Sequence, residues 1–226
     1  SNYRLKKYKE GITNFHYLIK INDNKYFTRS INRLAKINFE LQLYNESLNF
    51  YRLLKNNAKN NRELTDAFLG ILSNHYNTKS YDSAIFYGKN LLKLEKISFN
   101  IRNKANLLIG KSYLDKNEIN DGVDYLLSTI NLAKDVSGAE AQYLLANLFY
   151  EQNQLNQALE TLYLLNENFP EFNYWRNKSY LLIAKIFIKS EEIFQAKATL
   201  ESLIDKTSNK EIKEEAEGIL NELDLK

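Results

Sequence analysis

Residues 139–170 read AEAQYLLANLFYEQNQLNQALETLYLLNENFP, and the reading of this stretch decides the fold. In its first half Ala141, Leu144, Leu145, Leu148 and Phe149 recur at helical spacing, and in its second Ala158, Leu159, Leu162, Leu165 and Phe169 do the same. Each half therefore makes an amphipathic helix. The polar residues Glu151 to Gln154 between them form so short a link that the helices must fold back as an antiparallel hairpin. Ala146 and Ala158 are small where the two backbones meet, and Pro170 cannot continue the second helix.

The hairpin recurs along the chain. Lining up the small residue near the start of each second helix gives Gly11, Ser47, Ala84, Gly122, Ala158 and Ala196, at spacings of 36, 37, 38, 36 and 38 residues. The first of these belongs to a half repeat, Tyr3 to Ile21, with Leu5, Tyr8, Ile12, Phe15, Leu18 and Ile19 on one stripe and a polar turn at Asn22, Asp23 and Asn24. In the third hairpin Leu72 stands where a small residue is expected, which makes it the weakest match. Beyond the last hairpin, Lys210 to Leu223 reads as a single charged helix with Ile212, Ala216, Ile219, Leu220 and Leu223 on one face, the form of a cap.

The repeat resembles a tetratricopeptide repeat. The family pattern W-x2-L-G-x2-Y, then A-x3-F, then P is met by Leu145, Ala146, Phe149, Ala158, Leu162 and Pro170, with Gln142 in the tryptophan position, and Gly110 supplies the pattern's glycine in the fourth hairpin. The resemblance implies an all-α, right-handed solenoid of antiparallel helix hairpins. About five full repeats would stand between an N-terminal half repeat and a C-terminal capping helix, some dozen helices forming one domain over residues 1–226. The phrasing from Tyr174 to Asp205 further resembles the final repeats of large Bacteroidota tetratricopeptide proteins, many of them envelope-associated, and so implies the periplasmic side of a bacterial envelope.

Composition agrees with helices. One proline and seven glycines in 226 residues are too few for a turn-rich β-sandwich or a disordered linker. The absence of cysteine excludes disulfides and thiolate metal sites. No apolar run approaches the roughly 18 residues of a membrane-spanning helix. The chain begins Ser1-Asn2 and contains no methionine, from which a processed or excised segment is expected, attached to a membrane only through an anchor lost upstream. Net charge is +3, but residues 1–113 hold 20 Lys and Arg against 8 Asp and Glu, or +12, and residues 114–226 hold 11 against 20, or −9. In a solenoid that order becomes a basic end and an acidic end.

Catalytic chemistry has little to work with. His16 and His75 lie in different repeats, neither with a ligand partner at metal spacing, and both are expected to be structural. Asp121 with Asp124, and Glu191 with Glu192, sit beside inter-helix turns and are expected to be caps. Phosphate-binding loops and nucleophile elbows are missing. No enzyme activity, cofactor, metal or small-molecule substrate is expected.

Binding is where the sequence has content. In the family it resembles, the first helix of each pair lines a groove. That resemblance places Arg29, Asn32, Arg33, Lys36 and Phe39 there from the second unit, Lys104, Leu108 and Lys111 from the fourth, Tyr143, Asn147 and Tyr150 from the fifth, and Lys178, Lys185 and Lys189 from the sixth. Basic residues alternating with tyrosines suit an extended peptide that carries carboxylates and apolar side chains. A protein or peptide partner with an acidic segment is expected; single-stranded RNA on the basic N-terminal half is the alternative, disfavoured by the acidic C-terminal half. Gly70 and Leu108 occupy sites where the family's chaperone-tail clamp needs polar or basic residues, so that activity is not expected. The aromatic cluster Phe172, Tyr174 and Trp175 is expected to seal a hairpin junction.

Overall fold

The computed structural model describes residues 2–21, 25–132 and 134–225, without the side chains of residues 2–10. The turn read at Asn22, Asp23 and Asn24, and the places of Leu5 and Tyr8 on their stripe, lie outside the described residues. Among the described residues there are twelve α-helices and no strand. They are α1 (Asn2–Ile21), α2 (Phe27–Glu40), α3 (Tyr44–Asn57), α4 (Asn61–Asn77), α5 (Tyr81–Leu92), α6 (Phe99–Asp115), α7 (Ile119–Leu132), α8 (Val136–Glu151), α9 (Leu155–Asn168), α10 (Asn173–Lys189), α11 (Ile193–Lys206) and α12 (Lys210–Asp224). The chain divides into two compact units, Ser1–Tyr125 and Leu126–Lys226. In the first, α2 packs on α3 and α4 on α5; in the second, α8 packs on α9 and α10 on α11, with α12 against α11. The first helices of successive pairs also touch, α2 with α4, α4 with α6, α8 with α10 and α10 with α12.

The link inside each pair is built the same way five times. Its middle residue is left-handed: Gln42 (φ 62°), Lys79 (57°), Asn117 (62°), Asn153 (61°) and Glu191 (64°). The next N–H then reaches back five residues, Leu43 to the Asn38 carbonyl, Ser80 to His75, Glu118 to Tyr113, Gln154 to Phe149 and Glu192 to Phe187, at 2.8–2.9 Å. This is a Schellman ending, in which glycine normally takes the left-handed place. Here no glycine does. The second helix starts at once, and the N-cap residues of α3, α5, α9 and α11 make no side-chain cap bond. Of the two acids read as caps, Glu192 is the N-cap residue of α11, though its carboxylate accepts from the Gln195 side-chain amide at 3.0 Å and not from a backbone N–H, while Glu191 is corrected to the left-handed residue of the turn. Side-chain caps are found at α4, α6, α8 and α12, where Asn60, Ser98, Asp135 and Asn209 each accept from backbone N–H of the following turn, while the first helices α2 and α10 start without one.

Packing at the crossings follows the small residues. Ala146, Ala158, Ala184 and Ala196 are all 0% exposed. Ser47, equally buried, donates to the Ala35 carbonyl of its own hairpin at 2.9 Å and accepts from the Asn74 amide of α4, in the next one, at 3.0 Å, so its hydroxyl is satisfied. The misfit at Leu72 is resolved by Gly88, four residues after Ala84. A Cβ at Gly88 would stand 2.5 Å from Ile109 Cγ1 of α6 and 3.4 Å from Leu72 Cδ1, so the glycine leaves room for Ile109 with Leu72 packed beside it. Gly11 is the exception, since among the described residues a Cβ there would meet only Phe15, at 3.8 Å.

His75 is 7% exposed and stacks on Tyr87 with ring centroids 5.5 Å apart, and neither ring nitrogen has a hydrogen-bond partner. Burial, and then the Arg52 charge, hold its pKa below the ordinary histidine value. The fold therefore keeps it neutral, while the unfolded chain takes up a proton below about pH 6.5, so its contribution to stability is whole above that pH and shrinks on acidification below it. His75→Phe, with a ring like Tyr113, Phe149 and Phe187 at the matching places, should raise the unfolding free energy by about 1 kcal/mol at neutral pH and flatten its fall in acid. Urea titrations of parent and variant at neutral and mildly acid pH check this, and parallel acid losses would contradict it.

Candidate functional site

In the first unit, Arg29, Arg33 and Lys36 follow one another at intervals of four and three along α2 and so share one face. Together with Arg62 of α4 they line an open cleft of about 520 Å³. Two carboxylates of α4 enter the same cleft. Glu63 accepts from the Thr28 hydroxyl at 2.8 Å, and Asp66 accepts from the Asn32 amide at 2.7 Å with the Lys36 ammonium 3.9 Å away. The sequence reading took α2 alone and missed these acids, whose positions on the facing first helix become visible only once α2 and α4 are known to touch. Phe39 lies outside this cleft, edge-on to Tyr44 of α3 at 5.5 Å. On α6, Lys104 is exposed, Leu108 packs against the Leu72 and Ala105 cluster, and the Lys111 ammonium stands 5.1 Å from the Tyr76 ring of α4.

The second unit repeats that last device. Lys178 of α10 places its ammonium 5.2 Å from the Tyr143 ring of α8, 5.7 Å from Tyr174 and 5.9 Å from Trp175. Lys189 does the same over Tyr150 at 4.9 Å. Each such contact contributes on the order of 0.5–1 kcal/mol at an exposed site, and the lysine stem covers the ring edge. Lys185 instead pairs with Glu215 of α12 at 2.6 Å, and the Asn147 amide donates to Glu151 at 2.7 Å, so these two are engaged within the chain. Burial, followed by Glu215, Tyr174 and Glu151, pushes the Tyr143 phenol up to about 12, which keeps it a neutral hydrogen-bonding group. Trp175 is half-buried. It joins the junction to the α8 face through Tyr143, 5.4 Å away, while Tyr174 beside it remains 46% exposed.

Of the residues read from the sequence, Arg29, Asn32, Arg33 and Lys36 thus gather on one cleft of the first unit. Tyr143, Tyr150, Lys178 and Lys189 gather on the α8–α10 face of the second. The pairing of lysines with tyrosines one first helix back was not read, though both partners of each pair were in view except Tyr76. Among the described residues, no group of three histidine, aspartate or glutamate side chains could hold a metal ion, and no helix is long and apolar enough to cross a membrane.

The tetratricopeptide repeat family matches residues 140–171, which span α8, α9 and the turn after them. No curated protein sequence matches the chain. Among solved structures, the chain is similar to YrrB, described as a TPR protein with an unusual peptide-binding site, at a TM-score of 0.57 and 15% identity over 90% of this chain and 97% of that one. It is similar to MamA of Desulfovibrio magneticus RS-1 at 0.61 and 16%, over 79% and 93%. It is also similar to the apo form of RapI at 0.76 and 14%, over 94% and 65%. Residues 140–171 are a tetratricopeptide repeat, and the helix hairpins before and after them give the chain the all-α fold of the tetratricopeptide-repeat proteins.

Proposed function

We propose that the chain is a non-catalytic scaffold that holds an extended stretch of a partner protein against the first-helix face of its repeats. One observation carries this reading: in both units an ammonium of one first helix is seated on a tyrosine of the preceding one, Lys111 on Tyr76, Lys178 on Tyr143 and Lys189 on Tyr150. Seating the lysines in this way lowers the ordering cost on binding, since ring and cation are already placed. A peptide laid along such a face finds ammonium groups for its carboxylates and ring edges for its apolar side chains. The peptide-binding site ascribed to YrrB supports the same use of the fold.

An acidic segment of the partner fits the cations better than RNA does, because Glu63 and Asp66 stand among the arginines of the first unit and would face a polyanion's phosphates. Charge there acts more on the rate of encounter than on final affinity. The test is capture from a lysate of the source organism by the parent chain and by Lys178→Glu/Lys189→Glu, followed by association rates for whatever protein is retained. We expect a protein held by the parent and bound roughly tenfold more slowly by the variant at low salt. Equal rates would remove the α8–α10 face from the reading, and a salt-dependent shift of single-stranded RNA without a retained protein would replace it.

A further inference from the structure

In the first unit, a ring standing three residues after the small residue of a second helix closes the space over the first helix. Tyr87, three after Ala84, lies on His75 at 5.5 Å and on Phe68 at 6.1 Å. Tyr125, three after Gly122, stacks on Tyr113 at 5.7 Å. In α11 the same place, three after Ala196, is Thr199. The residues of α10 matching Phe68 and His75 are Tyr180 and Phe187, and there, between α9 and α11, a cleft of about 480 Å³ opens, lined by Tyr180, Phe187 and Thr199. Thr161 of α9 holds the same place, but the gap at Thr199 is where α5 and α7 put an aromatic ring of their own.

The charges around the gap are one-sided. Arg176 and Lys206 line it and no carboxylate does. Arg176 gives one Nη to the Pro170 carbonyl at 2.8 Å, and among the described residues its Nε is buried without a partner, while Lys206 donates to the Ser202 hydroxyl at 2.9 Å. Tyr163 of α9, 52% exposed, forms part of the opposite wall. An occupant must therefore bring a ring for the apolar floor and an anion for the two cations.

We infer that the cleft between α9 and α11 is a second docking site, on the second-helix side of the repeats, which takes one aromatic side chain of a partner peptide with a carboxylate next to it. The ring lies over Tyr180 and Phe187 as Tyr87 lies over Phe68 and His75, in offset or edge contact. The carboxylate meets Arg176, whose planar donors suit it, and Lys206. A single aromatic anchor seated in a pocket is the usual bearer of affinity in such contacts. The site does not depend on the α8–α10 lysines, so it stands or falls apart from the use proposed for them.

The test uses a capped pentapeptide with a central phenylalanine between aspartates, titrated into the whole chain and followed by NMR. The parent should bind it saturably at millimolar concentration or below. Replacing the peptide's phenylalanine with alanine should weaken binding roughly tenfold, and Thr199→Tyr, which fills the cleft as Tyr87 fills its counterpart, should do the same without lowering the melting temperature. Arg176→Gln/Lys206→Gln, a change that leaves the apolar floor intact, should weaken it as well. The inference is overturned if the parent shows no saturable binding, if the alanine peptide binds equally, or if Thr199→Tyr binds as the parent does.

Discussion

Ala158→Leu should cost the chain about 3 kcal/mol of stability, the upper end of what overpacking does. Ala158 is 0% exposed and belongs to one cluster with Ala146 across the hairpin, Leu162 a turn later on α9, and Leu182, Ile183 and Ile186 of α10. A leucine side chain there has no solvent to turn to. It must push α9 away from α8 or from α10, and either movement loosens an interface that the neighbouring repeat needs. In a stack of this kind each repeat is stabilised by its neighbours, so the loss should appear as an earlier or broadened urea transition rather than as a local change. A transition that overlays the parent's would mean that the repeats have been aligned wrongly.

Gly70→Ala should cost about 2 kcal/mol, although alanine is the better helix former by about 1 kcal/mol. A Cβ on Gly70 would stand 2.3 Å from Cε1 and Cζ of the Tyr51 ring and 2.4 Å from Cδ1. The ring is 5% exposed, packed in the first unit's core, and rigid, so it cannot fold aside as the end of a leucine might. Three of the other second helices, α7, α9 and α11, carry Leu126, Leu162 and Leu200 at the place of Tyr51, and α5 has Gly88 there, which suggests the rescue. Tyr51→Leu/Gly70→Ala should lose less than Gly70→Ala alone. Gly218→Ala supplies the control, for a Cβ there meets nothing within 4 Å, and it should add about 0.8 kcal/mol. Should Gly70→Ala behave like Gly218→Ala, the close approach of α4 to Tyr51 would be disproved.

The hairpins were legible in the sequence because their signal is doubly written, in the 3.6-residue period of each helix and in a pair of positions twelve residues apart, such as Ala146 and Ala158 or Ala184 and Ala196. Leu72 looked like a flaw because it was read by itself. Its accommodation beside Gly88 is a relation among α4, α5 and α6, where Ile109 makes the closest approach, and no single position shows it. Of the candidate site, the basic residues of α2, Lys111 of α6 and the lysines of α10 with their tyrosines on α8 were in view. What was missed lies on α4: Glu63 and Asp66, which face α2, and Tyr76, which carries Lys111. The left-handed residues escaped for a different reason. Asn117 and Asn153 tolerate that conformation, but Gln42, Lys79 and Glu191 carry no mark of it, and the hydrogen bonds that hold them there are made by the backbone.

That uniform ending of the first helices bears on how such a chain changes length. Gln42, Lys79, Asn117, Asn153 and Glu191 occupy equivalent points, and the bonds around them are made by main-chain groups that any residue but proline possesses. A recombination that joined the gene at one of these points to its counterpart at another would excise or duplicate a whole cassette and leave the joint unchanged. Loss of one residue there would instead shift the left-handed place and the partner of its N–H together. Growth by complete cassettes is thus tolerated where change by single residues is not, and the seam along which the chain can be lengthened is the turn rather than the helix.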